Sequence, residues 1–167
     1  EATNAAGGRG CALVRRKRAL TACVVGDGPD IEAFKKLAET LGLGTSVAFP
    51  GRLPTAQALK RGRLLVLPSR AESFPYVVLE AVAGRVPLIA SDVGGIAEIL
   101  PEKNLCPPDN PDALARHIEM ALAIPVALTQ DAKTLSESAR VAFDEETMAR
   151  NVTDFYQRLL AHKENRS

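Results

Sequence analysis

The stretch RLLVLPSRAESFPYVVLEAVAGRVPLIASDVGG, Arg63–Gly95, decides the fold. RLLVLPS is a continuous apolar run, the mark of a strand buried on both faces of a parallel sheet. In RAESFPYVVLEAVAGR, Pro75 sits in the first turn of a helix and Gly84 ends it. VPLIASD is a second buried strand. VGGIAEILPE is a turn into a short helix, with Asp92 the expected N-cap. Strand, helix and strand at these lengths make a βαβ unit, which closes economically as a right-handed crossover between parallel strands.

The same alternation extends in both directions. Upstream, ALTACVVG is a short apolar strand that ends in GDGP, Gly26 to Pro29. DIEAFKKLAETLGLG follows, with Ile31, Phe34, Leu37, Ala38 and Leu41 at helical steps, Asp30 the expected N-cap and Gly42 or Gly44 the expected C-cap. SVAF is a strand, PGRLP a loop and PTAQALKRG a short helix. Downstream, NLCPPDNPDALARHIEMALAI reads as a short strand, a Pro/Asp turn and a helix. Val126 to His162 reads as two helices, the second from Glu145. The first eighteen residues show no clean period, and no element is assigned to them.

These elements predict an α/β, Rossmann-like three-layer domain, a parallel sheet with helices on both faces. A single domain is expected over residues 1–167, with 1–18 irregular, 19–125 the core and 126–167 C-terminal helices. Ligands of such folds bind beyond the C-terminal ends of the strands. GDGP, PGRLP, PSRAESFP and SDVGG all fall in those loops.

Composition narrows the function. The chain has 167 residues, 46% hydrophobic and 25% charged, an ordinary globular balance that excludes disordered and low-complexity classes. Aromatics are 4%, so the core is aliphatic. A net charge of +1 supplies no field for nucleic acid, and no nucleic-acid partner is expected. Cys11, Cys23 and Cys106 match no disulfide framework or zinc spacing and read as structural thiols of a reducing compartment. No apolar run reaches the ~18–20 residues of a membrane span, and the first residues carry no signal pattern, so a cytoplasmic location is expected. Arg15 to Arg18 is a basic run, read first as solvated. His117 is read as a surface residue, and Phe155, Tyr156 and Leu159 as packing residues of the last helix.

The chemistry concentrates in RAESFPYVVLEA. Glu72 lies in the loop after a buried strand and Glu80 lies about two turns into the next helix. Between them, the amides around Phe74 to Val77 open a helix and favour anions. Carboxylates accept from vicinal hydroxyls, and amides donate to phosphate oxygens. Sugar hydroxyls, a diphosphate and ribose hydroxyls are the matching ligand groups.

Five blocks in order, VVGDGP, VAFPGRL, LLVLPSRAESFPYVVLEA, GRVPLIASDVGGIAEIL and PPDNPDALA, resemble the C-terminal, donor-binding half of retaining GT-B glycosyltransferases of family 4 (group 1). The resemblance runs from Ala22 to about Leu122. It implies that Glu72 is the catalytic residue, holding hydroxyls of the transferred sugar. Glu80 would hold the ribose hydroxyls of the nucleotide. Ser73, Phe74, Pro75, Tyr76 and Val77 would line the phosphate-binding helix start. Gly26, Asp27 and Gly28 would flank the donor cleft, and so would Gly51, Arg52 and Leu53, the latter loop near the base. No cofactor and no metal are implied; the nucleotide-diphospho-sugar is the substrate. Departure of the nucleoside diphosphate from the front face needs positioning and charge stabilisation, with no protein nucleophile.

The sequence departs from the family in two places. The Arg and Lys of the first loop have no recognisable counterpart among the residues before Ala19. The N-terminal, acceptor-binding half is a missing partner. The implied function is therefore that of half an enzyme, inactive alone. Its complete form would transfer sugar to a cell-surface polysaccharide or glycolipid of bacteria, peripheral to the inner face of the cell membrane. A non-catalytic nucleotide or sugar-phosphate binding module and a purely structural α/β domain are the competing readings. A Rossmann dehydrogenase is disfavoured, because GDGPDI lacks the third glycine of G-x-G-x-x-G.

Overall fold

The computed structural model describes residues 9–14, 19–73, 75–142 and 144–164. Residues 9–14 form helix α1. β1 (Ala22–Val25), α2 (Ile31–Thr40), β2 (Val47–Gly51), α3 (Thr55–Ala58), β3 (Leu65–Leu67) and α4 (Tyr76–Ala83) follow. β4 (Leu88–Ser91), β5 (Leu105–Cys106), α5 (Pro111–Ala123), α6 (Pro125–Ala142) and α7 (Glu145–Glu164) complete the order. The boundary between the last two helices lies where the sequence predicts it.

Among the described residues all the strand pairings are parallel. They form two ladders, β1–β2 and β3–β4–β5, where a single sheet was expected. β3 pairs with β4, and its side chains pack toward both faces as the apolar run predicts, Leu65 and Leu67 to one side and Val66 to the other, each half-buried. β4 is paired on both edges and buried throughout.

The strand period of two sorts side chains into two aliphatic clusters. Leu65, Leu67, Leu88 and Ala90 face α4, with Leu135 and Ala139 of α6 behind it. Val66, Ile89 and Cys106 face the opposite way, against Leu114, Ala115 and Ile118 of α5 and Val14 of α1. Helices thus cover both faces, as the three-layer reading requires.

Four local expectations are corrected. Part of the supposedly irregular 1–18 segment is helical: α1 packs Val14, 0% exposed, and Leu13 against α5 side chains, a contact with a distant segment that no local period signals. Residues 1–8 and 15–18, including the basic run, lie outside the described residues. VGGIAE forms a 3-10 turn, Gly94–Glu98, whose N-cap is Val93 rather than Asp92; the Asp92 amide donates to the Cys106 carbonyl instead. Asp30 does stand at the N-cap of α2, but without a side-chain cap bond. His117 is half-buried, its Nδ1 2.9 Å from the Ala113 carbonyl one turn back.

α5 has the best-formed start. Asn110 Oδ1 accepts from the Ala113 amide at 2.9 Å, and Pro111 occupies the first turn. Asn110→Ala is expected to cost about 1 kcal/mol, read as a lower urea midpoint at unchanged slope.

Residues 149–158 of α7 are exposed. Phe155 and Tyr156 meet edge to face but are 60% and 61% exposed, so they are not core packing residues in this chain. The side chain of Leu159 lies outside the described residues. Among the described residues no helix is long and apolar enough to cross a membrane.

Candidate functional site

The C-terminal ends of the described strands carry the glycine, proline and acidic loops, as expected. The structure gathers them into two groups.

The first group joins the loops after β1 and β2. The Gly26 amide donates to the Gly51 carbonyl at 3.0 Å, so the two turns lie edge to edge. Gly51 has φ +79, which only glycine adopts without strain. Asp27 Oδ1 accepts from the Gly28 amide at 2.9 Å. Asp27, Gly28 and Arg52 are exposed, and Leu53 is half-buried. This group places one carboxylate and one guanidinium at the rim.

The second group is built on the loop between β3 and α4. Glu72 is half-buried, Ser73 exposed and Pro75 buried; Phe74 lies outside the described residues. The amides of Val78 and Leu79 both donate to the Pro75 carbonyl, which closes the first turn. Amides ahead of Val78 therefore precede the first intrahelical bond of α4. The buried face of α4 is Val78, Ala81 and Val82. Tyr76 (72% exposed) and Glu80 share the opposite face at i, i+4. An exposed ring and an exposed carboxylate thus stand together beyond the Glu72 loop, and Val77 lies half-buried at its side.

The Glu72 loop is held by residues that the sequence reading did not single out. Ser69 is 3% exposed, and its hydroxyl donates to Glu72 Oε1 at 2.6 Å. Gly94, in the turn after β4, has φ +55 and lies directly under Glu72: a Cβ built there would collide with the Glu72 carbonyl oxygen. Arg70 Nη2 reaches Asp109 Oδ2 in the loop after β5 at 2.7 Å, both side chains half-exposed. The signals were present but weak. Ser69 is one serine three residues before a glutamate, and VGG reads equally well as an ordinary turn.

Among the described residues no three His, Cys, Asp or Glu side chains cluster as metal ligands. Burial pushes the Cys11 and Cys106 thiols up; for Cys106 a hydrogen bond with Ser91 opposes this in part. Neither is a thiolate nucleophile at neutral pH.

The family model described as "Glycosyl transferases group 1" matches residues 11–142. Alpha-D-kanosaminyltransferase of Streptomyces kanamyceticus is 32% identical over 119 residues, covering 68% of this chain and 31% of that protein. Sucrose-phosphate synthase of Thermosynechococcus elongatus superposes at TM-score 0.77 and 27% identity, over 97% of this chain and 44% of that one. HepE of Anabaena, solved with UDP and glucose, gives TM-score 0.78 at 22% identity over 91% of this chain and 44% of that one. The chain spans less than half the length of each of these relatives.

Proposed function

Because the chain belongs to the glycosyl transferase group 1 family, we propose that it is the donor-binding half of a transferase that moves a sugar from a nucleotide-sugar with retention of configuration. The carrying observation is one segment: half-buried Glu72 after β3, the start of α4, and exposed Glu80 on the same helix. Glu72 accepts from hydroxyls of the transferred sugar, the helix start takes the diphosphate, and Glu80 accepts from the ribose hydroxyls. The loops at Gly26–Gly28 and Gly51–Leu53 close the far side, with Arg52 beside the base.

In this reading the enzyme contributes orientation and charge stabilisation as the diphosphate departs, and the acceptor hydroxyl attacks the face it vacates. The reaction runs without a metal ion. The acceptor, a cell-surface polysaccharide or glycolipid, is held by the N-terminal half that completes such an enzyme.

The test is a titration with UDP, GDP and ADP followed by amide chemical shifts. HepE holds UDP and glucose, so UDP is the first probe. One nucleotide is expected to shift the amides from Tyr76 to Glu80. Glu80→Ala is expected to weaken it at least tenfold, since a charge-assisted hydrogen bond to ribose is worth about 1.5–3 kcal/mol. Chelator leaves the titration unchanged. Silence from all three nucleotides at millimolar concentration would overturn the reading.

A further inference from the structure

We infer that Ser69 is a positioning residue: it holds the Glu72 carboxylate in one orientation and thereby sets the affinity for the sugar of the donor, apart from the affinity for its nucleotide. The inference deepens the donor-site reading and rests on it for the identity of the ligand.

The geometry is specific. An ionised carboxylate only accepts, so the Ser69 hydroxyl must donate. At 2.6 Å the bond falls in the short range of charge-assisted O–H···O⁻ bonds. It engages Oε1 and leaves Oε2 to accept from a ligand hydroxyl. Ser69 itself is buried, so its hydroxyl is not a ligand contact; it acts through Glu72.

The backbone beneath is equally restrained. Gly94 touches the Glu72 peptide from the β4 side, and the Arg70–Asp109 pair ties the loop to the β5 side. With Gly94 packed against the Glu72 peptide, the freedom that matters to the carboxylate is in its side-chain torsions. The Ser69 hydroxyl removes that freedom before a ligand arrives. Among the described residues nothing comparable holds Glu80, which is exposed on α4 and makes no side-chain hydrogen bond or ion pair with them. The asymmetry separates the roles: a preorganised carboxylate discriminates among sugar hydroxyls, whereas an exposed one adapts.

The test has two arms on the same chain. In the ligand-free protein, side-chain coupling constants of Glu72 are expected to report one rotamer, and Ser69→Ala is expected to give rotamer averaging with an otherwise unchanged amide spectrum. In the second arm, UDP-, GDP- and ADP-glucose are titrated beside UDP, GDP and ADP. For the pair that binds, Ser69→Ala is expected to weaken the sugar nucleotide about tenfold and the free nucleotide less than twofold. Ser69→Cys keeps the volume with a weaker donor and should fall between. In a Glu72→Ala background, Ser69→Ala should add nothing to the sugar-dependent difference.

Averaged Glu72 torsions in the unmodified protein would overturn the inference whether or not any donor binds. So would equal losses for sugar nucleotide and free nucleotide, or an undiminished effect of Ser69→Ala in the Glu72→Ala background. A locked Glu72 that Ser69→Ala releases, with no donor bound, would overturn the donor-site reading and leave the hold of Ser69 on Glu72 standing.

Discussion

Gly94→Ala is expected to destabilise the chain by about 3 kcal/mol and to displace the Glu72 loop. Two costs combine. Gly94 has φ +55, where an L side chain is strained by about 1 kcal/mol or more. The new methyl would also fall on the Glu72 carbonyl oxygen, a backbone atom that no side-chain rotation can move aside. Overpacking against well-held structure typically costs about 1–3 kcal/mol. Relief requires the β3–α4 loop to lift, which carries Glu72 away from Ser69. The variant should therefore show a lower urea midpoint, and amide shifts concentrated at residues 69–80 and 91–96. An unchanged midpoint would mean that the two loops are not in contact. Gly95→Ala is the control: a Cβ there meets nothing nearer than the Ser73 carbonyl oxygen at 3.8 Å, an ordinary contact, and φ there is not positive.

Leu88→Ala is expected to cost about 3–4 kcal/mol, within the range for large-to-small changes in a closed core. Leu88 is 1% exposed, on the strand with partners on both edges, and packs with α4 side chains Val78, Ala81 and Val82. Its carbonyl also accepts from Asn104 Nδ2 at 2.7 Å, so the backbone cannot relax freely into the vacated space. Ile89→Val, on the opposite face of the same strand, removes one methylene and should cost about 1 kcal/mol. Denaturant unfolding of both variants against the unmodified chain checks the pair. Equal costs would mean that the two aliphatic layers are not closed to the same degree as their burial indicates. The loss at Leu88 should also loosen α4, because the helix has no side-chain cap and depends on that buried face.

Both variants meet at α4, the element that connects stability to the proposed chemistry. Its buried face seats it on β4, its first turn opens toward the strand ends, and its outer face carries Tyr76 and Glu80. Loosening the buried face should weaken nucleotide binding in proportion to stability, whereas Glu80→Ala should weaken it at full stability.

Residue order alone carried the parallel α/β class and the loops at the strand ends in which the proposed site lies. Apolar runs such as VPLIASD and periodic stretches such as DIEAFKKLAETLGLG are local patterns, and local patterns are carried by residue order alone. The parallel class followed from their alternation, and the site from the loops that alternation places at the strand ends. Glu72, Glu80 and the helix start between them lie within nine residues of one another, so their relation was legible without a fold. Tertiary structure decided everything that joins distant segments. It paired the Gly26 turn with the Gly51 turn and divided the strands into two ladders. It buried Val14 of an unpatterned segment, and it set Gly94 beneath Glu72. The Ser69–Glu72 bond is local in sequence but needed the same information, because a serine three residues from a glutamate binds it only where the loop is folded back upon itself. Which close approach a glycine permits, and which oxygen a hydroxyl finds, are set by the path of the whole chain; a serine three residues before a glutamate and a VGG turn are too common in sequences to reveal either.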